Sequence, residues 1–308
     1  MGIALLIYKL MMNVAVSIVA IVTVAMYLFS GSGLEILQSD LLDLFTRCSG
    51  WGYLLAIAAG MLSLLLWKKP SFFEAQIMKK GRPMTLSSFL IMFCLFMSAQ
   101  LISQLGLKVM DGIFGIFGLS MSEYMSSVGV STDGLSMLLY VGLGAPIFEE
   151  ILFRGLVLRT LEPYGKRLAI LVSALLFGFF HGNPVQGPYA AIVGLVLGYV
   201  TLEYNILWAM LLHMFNNLIF ADSLPRMLQC LPTQISDGII YGIMIVFALC
   251  AVVLLLVKHR QVVDAVRKDP IQPWQYDGAF TSPMLLVLIG FCVVDMVVFL
   301  GMMILSSL

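Results

Sequence analysis

The sequence predicts an all-α fold, a polytopic membrane bundle of about eight or nine transmembrane helices. Three observations predict it. The 308 residues are 61% hydrophobic and only 11% charged, where a soluble domain carries about a quarter charged residues. Mean hydropathy is +1.01. Apolar stretches long enough, or nearly long enough, to span a bilayer recur along the whole chain, separated by short charged segments. The formal net charge is zero and no long run of one sign occurs, so nothing points to a nucleic-acid partner.

Taken in order, the apolar stretches fall at 10–30, 51–67, 84–107, 135–158, 168–182, 188–202, 206–221, 239–257 and 284–305. The first is too long for a signal-peptide apolar region and lacks a small-residue cleavage site, so it is read as a retained span. The fifth to seventh are short, below the ~20 residues of a full span, which suits helices lining a cavity within the bundle. The segments 67–83, 159–167 and 258–268 are basic loops; the alternate loops 31–50, 108–133 and 221–238 hold most of the remaining acids. Lys and Arg mark the cytoplasmic side. The N-terminus is therefore expected in the cytoplasm and the protein in the cell membrane as a multi-pass protein, in contact with membrane lipid. Cys94, Cys250 and Cys292 lie inside apolar runs; Cys48 and Cys230 are placed in loops and read as unpaired. No CxxC or Cys/His cluster occurs, which argues against a structural zinc site of cysteine type.

The polar residues concentrate in the middle of the chain. Over 148–155 the sequence reads FEEILFRG, which sets Glu149, Glu150 and Arg154 inside an apolar helix. Each charge costs about 2.5–3.5 kcal/mol at a bilayer centre on insertion scales. Glu150 and Arg154 stand at i, i+4 and meet on one helix face. Glu149 points about 100° away and needs a partner on another helix. The fifth span ends with His181, four residues after Phe177; the seventh carries His213 and Asn217 at i, i+4. The third histidine, His259, lies in a basic segment and reads as solvated. Taken singly, the ion pair reads as a clasp between helices and Asn216 and Asn217 as helix contacts. Taken together, two carboxylates, two imidazoles and an amide form a proton-handling or metal-binding set.

The three motifs, Glu149-Glu150-x-x-x-Arg154, Phe177-x-x-x-His181 and His213-x-x-x-Asn217, resemble in order and spacing those of the CPBP family. This is the group of CAAX-protease and bacteriocin-processing intramembrane peptidases, also called Abi proteins. The resemblance covers about 140–220. It implies that Glu149 is the general base that activates a water. It implies that Glu150 supports the site and pairs with Arg154, that His181 and His213 bind a metal such as zinc or stabilise the oxyanion, and that Asn217 is an oxyanion donor. It implies a peptide or membrane-anchored protein as substrate, and divides the chain into peripheral helices over 1–130, a catalytic core over 131–222 and C-terminal helices over 223–308. HExxH, GxSG and GxGD signatures are absent. A non-catalytic membrane protein of the same fold, acting in immunity or on a sensor, is the alternative. A proton-coupled transporter is less well supported, since no repeat symmetry is visible. At ~1.5 Å per residue, Glu149 and His213 are expected about 10 Å from the cytoplasmic surface and His181 about 20 Å. The motifs nevertheless require all three to converge.

Overall fold

The computed structural model of the chain describes residues 2–29, 38–68, 72, 74, 77–127, 134–268, 270–272, 274 and 281–307. Every regular element among them is helical. We number the helices α1 (Gly2–Phe29), α2 (Gln38–Trp67), α3 (Leu86–Gly115), α4 (Met121–Ser127), α5 (Leu135–Tyr164), α6 (Lys166–Phe180), α7 (Gln186–Glu203), α8 (Ile206–Leu228), α9 (Thr233–Val257), α10 (His259–Lys268) and α11 (Pro283–Ser306). Seven of these, α1, α2, α3, α5, α8, α9 and α11, are long and apolar enough to cross a membrane. Helices α6 and α7 are shorter, with 15 and 18 residues.

Each of the nine predicted spans falls on a helix among the described residues, but several limits move. The seventh is longer than expected: α8 continues to Leu228. Helix α2 begins at Gln38, so Cys48 lies in a helix rather than a loop. Cys230 is a free thiol in the turn after α8. The expected loop at 258–268 is instead α10, with polar and apolar residues on opposite faces. Its His259 is exposed, as expected, with Nδ1 2.8 Å from the Leu256 carbonyl.

The centre of the bundle is the pair α6–α7, flanked by α5 and α3. Small residues let these backbones approach, as in other membrane helix pairs. A Cβ at Gly178 would lie 2.6 Å from the Gly187 carbonyl oxygen and 2.9 Å from Ala191 Cβ. Between the two helices the chain turns at Gly182, whose φ of +66° suits a residue without Cβ. Asn183 Oδ1 then accepts from the Val185 and Gln186 N–H groups and starts α7.

Helix α1 also reaches this centre. Tyr8 sits against Phe148 and Phe180, with ring centroids 4.5 and 5.6 Å away. Lys9 Nζ donates to the Phe180 carbonyl at 2.7 Å and pairs with Asp295 of α11 at 3.0 Å. The C-terminal carbonyls of a helix attract cations, so Lys9 closes the end of α6 just before His181.

The mismatch in depth between Glu149 and His181 disappears because α5 runs on to Tyr164 rather than ending near 158. Glu149 then stands fifteen residues before Tyr164, and His181 fifteen after Lys166. The two arms of the α5–α6 hairpin are equal, ~22 Å each at 1.5 Å per residue. A leucine in place of Gly178 is expected to force α6 from α7 and to cost ~1–3 kcal/mol, as overpacking does. Thermal unfolding of purified Gly178→Leu in detergent checks this; a melting temperature equal to wild type would contradict it.

Candidate active site

Three helices bring the motif residues to one cavity of about 530 Å³. Helix α5 supplies Glu149, the end of α6 supplies His181, and α8 supplies His213 and Asn217; all four line it. Phe177, Tyr8 and Lys9 complete parts of the wall. Glu150 and Arg154 do not line the cavity. They lie behind its wall with side chains 0% exposed.

Around Glu150 the order is tight. Its Oε1 accepts from Arg154 Nη1 at 3.1 Å and from His213 Nδ1 at 3.0 Å. Arg154 Nη2 donates to the Gly194 carbonyl of α7 at 3.4 Å, and its guanidinium lies 4.3 Å over the Phe177 ring. A carboxylate paired with arginine accepts only, so His213 carries its proton on Nδ1 and turns Nε2 toward the cavity. Glu149 Oε2 stands 3.8 Å from that Nε2. This is the partner on another helix that Glu149 needed.

His181 is fixed in the same way. Its Nδ1 is 2.7 Å from the Phe177 carbonyl, one turn back. A carbonyl only accepts, so Nδ1 donates and Nε2 remains for the cavity. The Phe177 ring meets His181 edge-on at 4.9 Å and His213 at 5.8 Å. The phenylalanine of the second motif thus touches both imidazoles and the arginine.

Backbone irregularity concentrates here. Wide turns of π type occupy Tyr140–Gly144 and Ile151–Leu158, on either side of the two glutamates, and Asn216–Ser223 in α8. Such turns are frequent at functional sites. The first presents the Val141 carbonyl to Asn217 Nδ2, which donates to it at 2.9 Å. Asn216 Nδ2 donates in turn to Asn217 Oδ1 at 3.0 Å.

The donor chemistry of the two imidazoles suits a metal, since each has Nδ1 engaged and Nε2 available. The arrangement does not. Among the described residues no three His, Cys, Asp or Glu side chains converge so as to hold a metal ion. His181 and His213, the expected metal ligands, share the cavity with Glu149 without forming a ligand triad.

Sequence reasoning missed Tyr8, Lys9 and Asp295. The signal available was that Lys9 and Asp295 are lone opposite charges within apolar spans, and charges of that kind pair with one another.

Residues 131–219 match a family model described as type II CAAX prenyl endopeptidase Rce1-like. This is the CAAX-protease group that the three motifs resemble, and the match spans the motif-bearing core alone. No curated protein and no solved structure matches the chain.

Removing one partner of a fully buried ion pair strands the other charge, at a cost of about 3–5 kcal/mol. Arg154→Met is therefore expected to be strongly destabilised. Glu150→Gln combined with Arg154→Met is expected to recover part of that loss, because neither charge then remains. Unfolding midpoints of the two variants in one detergent provide the comparison; a double variant less stable than the single one would contradict this account.

Proposed function

We propose that this protein is an intramembrane endopeptidase, acting on a membrane-tethered peptide of the CAAX type with a prenylated segment near its C-terminus. The family match of the core supports the protease class. The observation that carries the chemistry is the 3.8 Å gap between Glu149 Oε2 and His213 Nε2 on the cavity wall. That distance is too long for a direct hydrogen bond and suits two groups that share a water.

In this reading a water donates one hydrogen to Glu149 and the other to His213 Nε2. Glu149 takes the first proton as the water oxygen bonds to the scissile carbonyl carbon. The carbonyl oxygen gains negative charge, and the remaining Asn217 Nδ2 hydrogen donates to it. His181 Nε2 is an acceptor in the tautomer set by Phe177, and donates to the oxyanion only after binding a proton. When the intermediate collapses, the C–N bond breaks and Glu149 returns its proton to the leaving nitrogen. The products are a carboxylic acid and an amine. Glu150 and Arg154 act through His213, by holding Nδ1 and so directing Nε2.

The open donor arrangement supports a reaction run by Glu149 and its water, rather than by a zinc ion on His181 and His213. The test is cleavage in liposomes. A library of tethered peptides, prenylated CAAX peptides among them, is incubated with wild type, Glu149→Gln and His213→Ala, and products are read by mass spectrometry. Wild type is expected to release product and Glu149→Gln to lose roughly 10²–10⁴-fold, the usual contribution of a general base. Activity is expected to survive a strong zinc chelator. Loss with the chelator and return with added zinc would reinstate the metal. If wild type releases nothing across the library while Glu149→Gln keeps the host phenotype, the non-catalytic binding protein is the better reading.

A further inference from the structure

A row of polar side chains runs to Asn217 from behind the cavity wall, and its far member, Gln100, is one that neither the motifs nor the family match assigns. Gln100, on α3, falls outside residues 131–219. Its Nε2 donates to Tyr189 Oη at 2.8 Å and to Asn216 Oδ1. Tyr189 Oη donates to the same Asn216 Oδ1 at 3.2 Å. Asn216 Nδ2 donates to Asn217 Oδ1, and Asn217 Nδ2 to the Val141 carbonyl. Gln100 does not line the cavity, whereas Tyr189, Asn216 and Asn217 do.

The direction of this row follows from its far end. A backbone carbonyl can only accept, so Asn217 must turn its NH₂ toward Val141. Its oxygen then faces Asn216, which must answer with its own NH₂. The Asn216 oxygen is thereby left facing α3 and α7, where it needs donors. Gln100 supplies one and Tyr189 the other. The tyrosine has one hydroxyl hydrogen, spends it on Asn216, and can accept from Gln100 at the same time. Every amide in the row is used in one sense only, and a reversal at any point places two oxygens or two NH₂ groups face to face.

The sense matters to Asn217. An asparagine amide is nearly symmetric in shape, and a half-turn exchanges its donor for an acceptor. In the row as built, Nδ2 has a second hydrogen with no acceptor among the described residues. After a half-turn, the cavity meets the oxygen instead, which repels a developing oxyanion. In a site shielded from water such a misplaced dipole is strongly felt.

We infer that Gln100 is a positioning residue which, with Tyr189, fixes the amide of Asn217 in its donating sense from a helix outside the family core. This rests on the oxyanion role of Asn217 proposed above. The experiment is a mutant cycle on the prenylated CAAX peptide in liposomes. Gln100→Met keeps the side-chain length and removes the donor. Gln100→Glu keeps the shape, and its carboxylate accepts where the amide donated. Each is measured alone and with Asn217→Ala.

Asn217→Ala alone is expected to lower kcat about 10²-fold, as loss of an oxyanion donor does. Gln100→Met and Gln100→Glu are each expected to lower kcat about tenfold with KM unchanged, the order of one hydrogen bond. In the Asn217→Ala background neither should lower it further, because the group they orient is gone. Equal losses in both backgrounds would show that Gln100 acts through packing and would overturn the inference. So would unchanged kcat in both Gln100 variants. If one variant fails to fold, the other decides; if both fail, Tyr189→Phe, which removes the second donor, must show the same dependence on Asn217 or the inference falls. Failure of the peptidase reading looks different: wild type releases no product, or Asn217→Ala keeps full activity, and the positioning role falls with it.

Discussion

The site depends on one buried carboxylate oxygen. Glu150 Oε1 holds Arg154 on its own helix and His213 on α8. Arg154 extends the grip to α7 through the Gly194 carbonyl, and to α6 through the face of Phe177. Four helices therefore meet at a single ion pair with no exposure to solvent. A buried ion pair is weak grounds for stability, because desolvation offsets much of the attraction. Its contribution here is directional. In low dielectric an unpaired charge is so costly that the helices carrying Glu150, Arg154 and His213 have little freedom to rotate or slide. The imidazole that faces Glu149 inherits that rigidity.

Much of this was legible from the sequence, for local reasons. Glu150 and Arg154 at i, i+4, Phe177 and His181 at i, i+4, and His213 and Asn217 at i, i+4 each lie on one helix face. That spacing predicts which side chains meet within a helix. Apolar length predicted where the helices lie. What the spacing could not show was which helix faces which. That Glu149 meets His213, and that Glu150 meets it on the other ring nitrogen, depends on how α5 and α8 are turned. Lys9 and Asp295 were harder still, as each is a lone charge in an apolar run, and Gln100 is not marked out from the neighbouring Ser98, Ser103 and Gln104. The expected mismatch between Glu149 and His181 came from placing the end of α5 at an apparent edge of hydrophobicity. The helix continues through Arg159, whose charge is matched by Glu162 at 2.9 Å.

The irregular turns have a common sense. In a regular α-helix each interior carbonyl already accepts an N–H from the next turn, whereas a wide turn leaves some carbonyls more open to a side chain. The wide turns at Tyr140–Gly144 and Asn216–Ser223 pack against each other beside the cavity, and between them Val141 offers a carbonyl that Asn217 takes. The deviation from ideal geometry is thus met by a hydrogen bond that also orients a functional amide. Such departures are tolerable inside a bilayer only where protein or cavity surrounds them, and here both do.

The clasp formed by Lys9 has a consequence for how the molecule is made. Lys9 and Asp295 are 286 residues apart (295 − 9). At ~5–20 residues per second of synthesis, the lysine waits roughly 15–60 s before its carboxylate exists. Until then the lysine is a cation without its carboxylate, and once α6 is made it has the Phe180 carbonyl and ring as partners. The pair closes as α11 settles beside α1, and only then is the residue that caps α6 ahead of His181 itself neutralised. Assembly order is thereby written into the molecule: a segment made long after α1 completes the electrostatic balance around the cavity.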